Sequence, residues 1–161
     1  MYNQNFTQSD QPNLKTLLII HIALLIGQLM FAMVCLSITP NKGFSFNTQE
    51  PFNWVAIVLT VGGFALSAFL YRMQLSAALK RVSAKEKLLN YTTAIIMRAA
   101  PLEAASMFCI VAYMLTGNTF FMGIAAIIIL YFIVVIPTKD RVLTSLYLSA
   151  ADLINDSTAN Y

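Results

Sequence analysis

Apolar residues do not alternate along this chain; they come in long blocks separated by short polar breaks. The blocks cover 14–38, 54–71, 91–116 and 120–136. A helix rising 1.5 Å per residue needs about 20 apolar residues to cross the ~30 Å hydrocarbon of a bilayer. The pattern therefore predicts four membrane-spanning helices. The first block is longer than the apolar region of a signal peptide and no small-x-small cleavage site follows it, so it reads as a retained span. It stops at Thr39-Pro40-Asn41-Lys42-Gly43, a cluster of turn formers. Between the third and fourth blocks stands only Gly117-Asn118-Thr119. So short a link makes the two helices antiparallel neighbours, with Gly117 suited to a left-handed helix end and Asn118 or Thr119 to capping the next helix.

Three segments fall outside the blocks. Residues 1–13 are polar, rich in Asn and Gln, and read as a flexible tail. Within 72–90, Leu75, Leu79, Val82 and Leu89 recur at helical spacing, which predicts a helix that either extends spans two and three past the membrane or lies on its surface. In 137–161, Val142, Leu143, Leu146, Tyr147, Ala150, Leu153 and Ile154 make one apolar stripe, with Thr138 placed to cap its start. That stripe predicts an amphipathic helix in the interface or on the end of the bundle. The expected fold is all-α: an integral membrane four-helix bundle with a C-terminal amphipathic helix.

Composition agrees and narrows the function classes. Of 161 residues, 58% are hydrophobic and 11% charged, less than half the charge usual in soluble domains. The net charge is +3, and its placement beside apolar blocks points to anionic lipid headgroups rather than nucleic acid. With 72–90 in the cytoplasm, Lys15, Arg72, Lys80, Arg81, Lys85, Lys87, Lys139 and Arg141 lie inside against Lys42 outside. The positive-inside rule therefore predicts both termini in the cytoplasm. Phe44, Phe46, Phe52 and Trp54 cluster at the opposite boundary, where aromatic rings favour the headgroup region. Cys35 and Cys109 both lie within apolar blocks and form no C-x-x-C pair, so they read as small buried hydrophobes.

Candidate chemistry concentrates in span three, which reads Arg98-Ala99-Ala100-Pro101-Leu102-Glu103. A central charge costs roughly 2.5–3.5 kcal/mol to insert, and each Leu, Ile, Phe or Val returns about 0.3–0.6. The seven such residues between Ile95 and Thr116 offset about one charge, not two. Arg98 can extend to the headgroups; Glu103, deeper, must be protonated, paired or facing a hydrated cleft. His21 in span one has similar depth, so His21, Arg98 and Glu103 form a candidate polar cluster. Two readings of it stand: an ion pair that fixes helix register, and a site for a proton, ion or substrate. His21, Gln28 and Cys35 share a face at heptad spacing, which suggests Gln28 as a hydrogen-bonding contact between helices. Ala56, Thr60, Gly63 and Ser67 on span two, and Ala105, Cys109 and Ala112 on span three, form small-residue packing surfaces. One histidine without ligand-spaced companions predicts no metal. Neither a phosphate loop, nor a G-x-S-x-G elbow, nor an H-E-x-x-H helix occurs, so neither a cofactor nor an enzymatic activity is expected.

Arg98 with Glu103, the Gly117-Asn118 turn and Pro137-Thr138-Lys139-Asp140-Arg141 together resemble a group of small four-span membrane proteins of Bacteroidota, over residues 90–148. The resemblance implies a bacterial inner membrane and no particular activity. Leu102-Glu103-Ala104-Ala105 with Val111-Ala112 is also similar to the ion-carrying helix of rotary ATPase proteolipids. The chain departs from that family in having only six glycines and no G-x-G-x-G run. Small multidrug exporters share the four spans but carry their carboxylate in the first, where this chain has His21. Two functions follow as expectations: a non-enzymatic membrane subunit or scaffold contacting anionic lipid, a second copy or another membrane protein; or a small oligomeric proton- or ion-linked transporter using Glu103.

Overall fold

The computed structural model describes residues 14–47, 50–82 and 84–147. The N-terminal tail 1–13 lies outside the described residues, as do Ala150, Leu153 and Ile154 of the C-terminal stripe and the side chains of Lys15, Lys85, Lys139 and Leu143. The chain is all-α. Five helices follow in order: α1 Leu14–Ile38, α2 Pro51–Leu79, α3 Ala84–Thr116, α4 Thr119–Val134 and α5 Lys139–Leu146. Three of them contain stretches long and apolar enough to cross a membrane, Thr16–Ile38, Pro51–Leu79 and Glu86–Thr116; α4 is apolar but shorter.

The stretch 72–90 is helix at both ends. α2 runs on to Leu79 and α3 starts at Ala84, so two apolar-faced helices continue past the expected spans as a hairpin. Of the four apolar residues at helical spacing only Leu75 packs inward, on a cluster of buried side chains from Ala78, Leu88 and Tyr91, while Leu79 and Leu89 are exposed. Val82, at the tip, is 97% exposed.

α3 is the hub, packing against α1, α2, α4 and α5. Its contact with α2 is close because small residues allow it. Ala56, Gly63 and Ser67 are buried on α2, and Ala105, Cys109 and Ala112 on α3. A Cβ built on Gly63 would lie 3.1 Å from the Pro101 carbonyl oxygen. Pro101 has no N–H to give to the turn before it, and in that turn the Ser67 hydroxyl donates to the Arg98 carbonyl at 2.8 Å.

At the other end of α3, Gly117 adopts φ +72°, and its N–H donates to the Tyr113 carbonyl at 2.7 Å. Asn118 then caps α4, its side chain accepting from the Phe120 N–H. The same amide joins the turn to the loop after α1: its Oδ1 accepts from the Ser45 N–H at 3.1 Å and its Nδ2 donates to the Ser45 carbonyl at 2.6 Å. Two backbone bonds, Lys42 N–H to Gly117 O and Thr119 N–H to Gly43 O, complete the clasp. Phe44 and Phe46 pack edge-on against Phe120 beside it.

α5 packs on the opposite end of the bundle, burying Val142 and Leu146 against Leu17, Leu88 and Tyr91. The expected stripe does not continue through Tyr147. That residue takes φ 52° and is 86% exposed, because the helix ends at Leu146 and the chain turns left-handed there.

Candidate functional site

Two of the polar residues singled out by the sequence, His21 and Arg98, meet at the carboxyl end of α4, where the last turn of any helix leaves carbonyls without intrahelical donors. Basic side chains from three other helices converge there. His21 of α1, 4% exposed, lies 3.0 Å from the Phe132 carbonyl through Nε2 and stacks on the Phe132 ring at 5.3 Å. A carbonyl only accepts, so Nε2 carries the proton and donates. Arg141 of α5 donates from Nη1 to the Val134 carbonyl at 2.6 Å. Arg98 of α3 donates to the Tyr131 hydroxyl, and its guanidinium lies 4.8 Å from the centre of the Tyr71 ring and 5.5 Å from that of Tyr131. Cations beside a helix carboxyl terminus are favoured by the exposed carbonyl dipoles.

Two cavities flank this point. A small one, with room for about 10 Å³, is lined by His21 and Arg98 together with Leu102, Tyr131 and Phe132. The second is about 300 Å³, and its polar lining consists of Arg98, Arg141, Tyr71, Tyr91, Thr144 and Ser145. His21 and Arg98 are thus brought to one cavity wall. Glu103 is not part of either lining. It is half-buried further along α3, and the five-residue step from Arg98 turns it to another side of the helix, since 3.6 residues make a turn.

Gln28 and Cys35 share the buried face of α1 with His21, at 1% and 0% exposure. The Gln28 amide has no hydrogen-bond partner among the described residues on either its Oε1 or its Nε2, nor has the Ser106 hydroxyl or His21 Nδ1. Gln28 therefore packs between helices without the hydrogen bond expected of it. Of the basic hairpin, Arg72, Lys80 and Arg81 are exposed and Lys87 is half-buried. Among the described residues, no cluster of three His, Cys, Asp or Glu side chains is placed to hold a metal.

Sequence reasoning missed Tyr71, Tyr91, Tyr131, Thr144 and Ser145 as parts of this site. Tyr71 and Tyr91 mark the edges of two expected spans, the level at which tyrosine prefers to sit, and that was the available signal. The fold places the chain among helical membrane proteins. Compared with protein-family models, with curated proteins and with solved structures, it matches none of them.

Proposed function

We propose that this chain is a four-span protein of a bacterial inner membrane, with both termini cytoplasmic, acting without catalysis as a membrane subunit or scaffold. Its basic end contacts anionic headgroups, and its lipid-facing helices are free to meet a second copy or another membrane protein. The observation that carries this reading is the engagement of His21: its donor nitrogen closes the carboxyl end of α4 and is not directed at Glu103. A buried imidazole tied to a helix terminus fixes how α1 and α4 sit together, which is a structural task.

Four spans are supported by the continuation of α4. Its 16 residues reach about 24 Å at 1.5 Å per residue, and the apolar Val135 and Ile136 that follow the helix extend the segment toward the hydrocarbon thickness. The orientation is supported by charge, since eight of the ten Lys and Arg residues lie on the hairpin and terminal side.

The rival reading, a proton- or ion-linked transporter, draws on the half-buried carboxyl of Glu103. Glu103→Gln separates the two because it removes the titratable group while keeping size and polarity. Purified wild type and variant, reconstituted into vesicles with an entrapped pH dye, should both show the passive leak of empty vesicles, and both should insert to the same level in cells. A proton flux present in wild type and lost in a normally inserted Glu103→Gln contradicts the scaffold reading.

A further inference from the structure

We infer that the cavity between α2, α3 and α5 is a binding site for one phosphate group of an anionic lipid, held between Arg98 and Arg141. The inference rests on the reading above in one respect, that this end of the bundle lies against an anionic leaflet.

The cavity, about 300 Å³, is at the lower end of the size range of small-molecule sites. Its described lining carries two guanidiniums and four hydroxyls, and no carboxylate. A guanidinium has five N–H donors in a planar fork that matches phosphate geometry. Arg98 engages Tyr131 and Arg141 engages Val134 with one contact each, which leaves further donors on both side chains. Arg98 is also positioned before any ligand arrives, its guanidinium lying over the Tyr71 and Tyr131 rings, so little side-chain freedom remains to be lost on binding. The Tyr91 hydroxyl is already engaged with those of Ser145 and Tyr71, so this network holds the wall in shape, and the exposed Thr144 hydroxyl supplies a donor of the kind that completes a phosphate shell.

Two further features favour a lipid over a free anion. Ile95, Val135 and Pro137 form an apolar wall beside the arginines, which suits the glycerol and first acyl carbons rather than water. Arg98 stands eighteen residues, about 27 Å of helix, from Thr116 at the far end of α3. With Thr116 at one edge of the ~30 Å hydrocarbon, that places the Arg98 backbone near the other edge, from which its long side chain reaches toward the headgroup phosphates. α5 supplies the outer wall, fastened to α3 through Val142 and Leu146.

The test uses the full chain in neutral detergent micelles and native mass spectrometry. Phosphatidylglycerol should be retained one-to-one, at least about tenfold more than net-neutral phosphatidylcholine. Arg141→Gln should weaken that retention about ten- to a hundredfold, the range for a hydrogen bond to a charged group. Thr144→Glu, which sets a carboxylate into the wall from an exposed position, should do the same without disturbing the core. Lys80→Gln/Arg81→Gln, on the exposed hairpin tip and outside the cavity, should leave retention unchanged. Wild-type retention by either cavity variant overturns the site. Equal loss in the Lys80/Arg81 variant also overturns it, and then the diffuse lipid contact of the proposed function stands alone. If wild type shows no preference for anionic over neutral vesicles, both fail. Inorganic phosphate distinguishes the source: competing with phosphatidylglycerol in wild type supports the site, and binding where the lipid does not overturns the lipid assignment.

Discussion

Gly117→Val is expected to lower the stability of the detergent-solubilised protein by about 2–5 kcal/mol, from a left-handed backbone cost of ~1–2 kcal/mol and an overpacking cost of ~1–3 kcal/mol. Both terms act at one atom. Gly117 holds φ +72°, and a Cβ there would lie 2.6 Å from the Pro40 carbonyl oxygen. That oxygen is backbone on a proline, next to a loop pinned by the Lys42–Gly117 hydrogen bond, so it has little room to retreat. Relief requires opening the clasp between the α1–α2 loop and the α3–α4 turn, and with it the Asn118 cap. The unfolding midpoint in a thermal or dodecyl sulfate titration measures this. A midpoint within error of wild type would mean that the turn is not built this way.

Gly63→Leu is the second large effect, at about 1–3 kcal/mol of destabilisation from overpacking. α2 meets α3 where Gly63 lies against the Pro101 carbonyl at 3.1 Å and the Ala105 methyl at 3.5 Å. A leucine there must push the two helices apart along their most extensive contact. Its neighbour is the control, since a Cβ on Gly62 has no heavy atom within 4 Å. Gly62→Leu should therefore stay within about 0.5 kcal/mol of wild type, as surface substitutions generally do. Two adjacent glycines with opposite outcomes report the rotation of α2 about its axis. Equal effects at both positions would contradict the packing of α2 on α3.

Much of the fold was legible because the information lay in strong local signals. Gly117 and Asn118 announce a helix end and a helix start by their backbone preferences, and each takes that role here. His21, Gln28 and Cys35 share a buried face because heptad spacing alone determines that they must lie on one side of a helix. The hairpin 72–90 was harder. Its apolar spacing predicts helix, but not which of those residues pack: Leu75 turns onto Ala78, Leu88 and Tyr91, while Leu79 and Leu89 stay exposed.

The candidate site was half legible. Arg98 and His21 stand out as polar groups in apolar runs, and both arrive at the same cavity. Their partners could not be read: the Phe132 and Val134 carbonyls are backbone groups, exposed as acceptors only by where α4 happens to end. Glu103 invited pairing with Arg98 by proximity in sequence, yet five residues along a helix is a step to a different side. Arg141 was visible only as one charge among eight, since its role depends on α5 folding back against α3.

Four spans require that α2 and α4 each carry the chain through the bilayer. Single cysteines at Lys42, Lys80 and Thr144 test this, against a silent background because native Cys35 and Cys109 are buried. A membrane-impermeant maleimide applied to intact spheroplasts should label Lys42→Cys at once, and Lys80→Cys and Thr144→Cys only after permeabilisation. Labelling of Lys80→Cys from outside would invert the topology, and labelling of Thr144→Cys from outside would show that α4 does not cross.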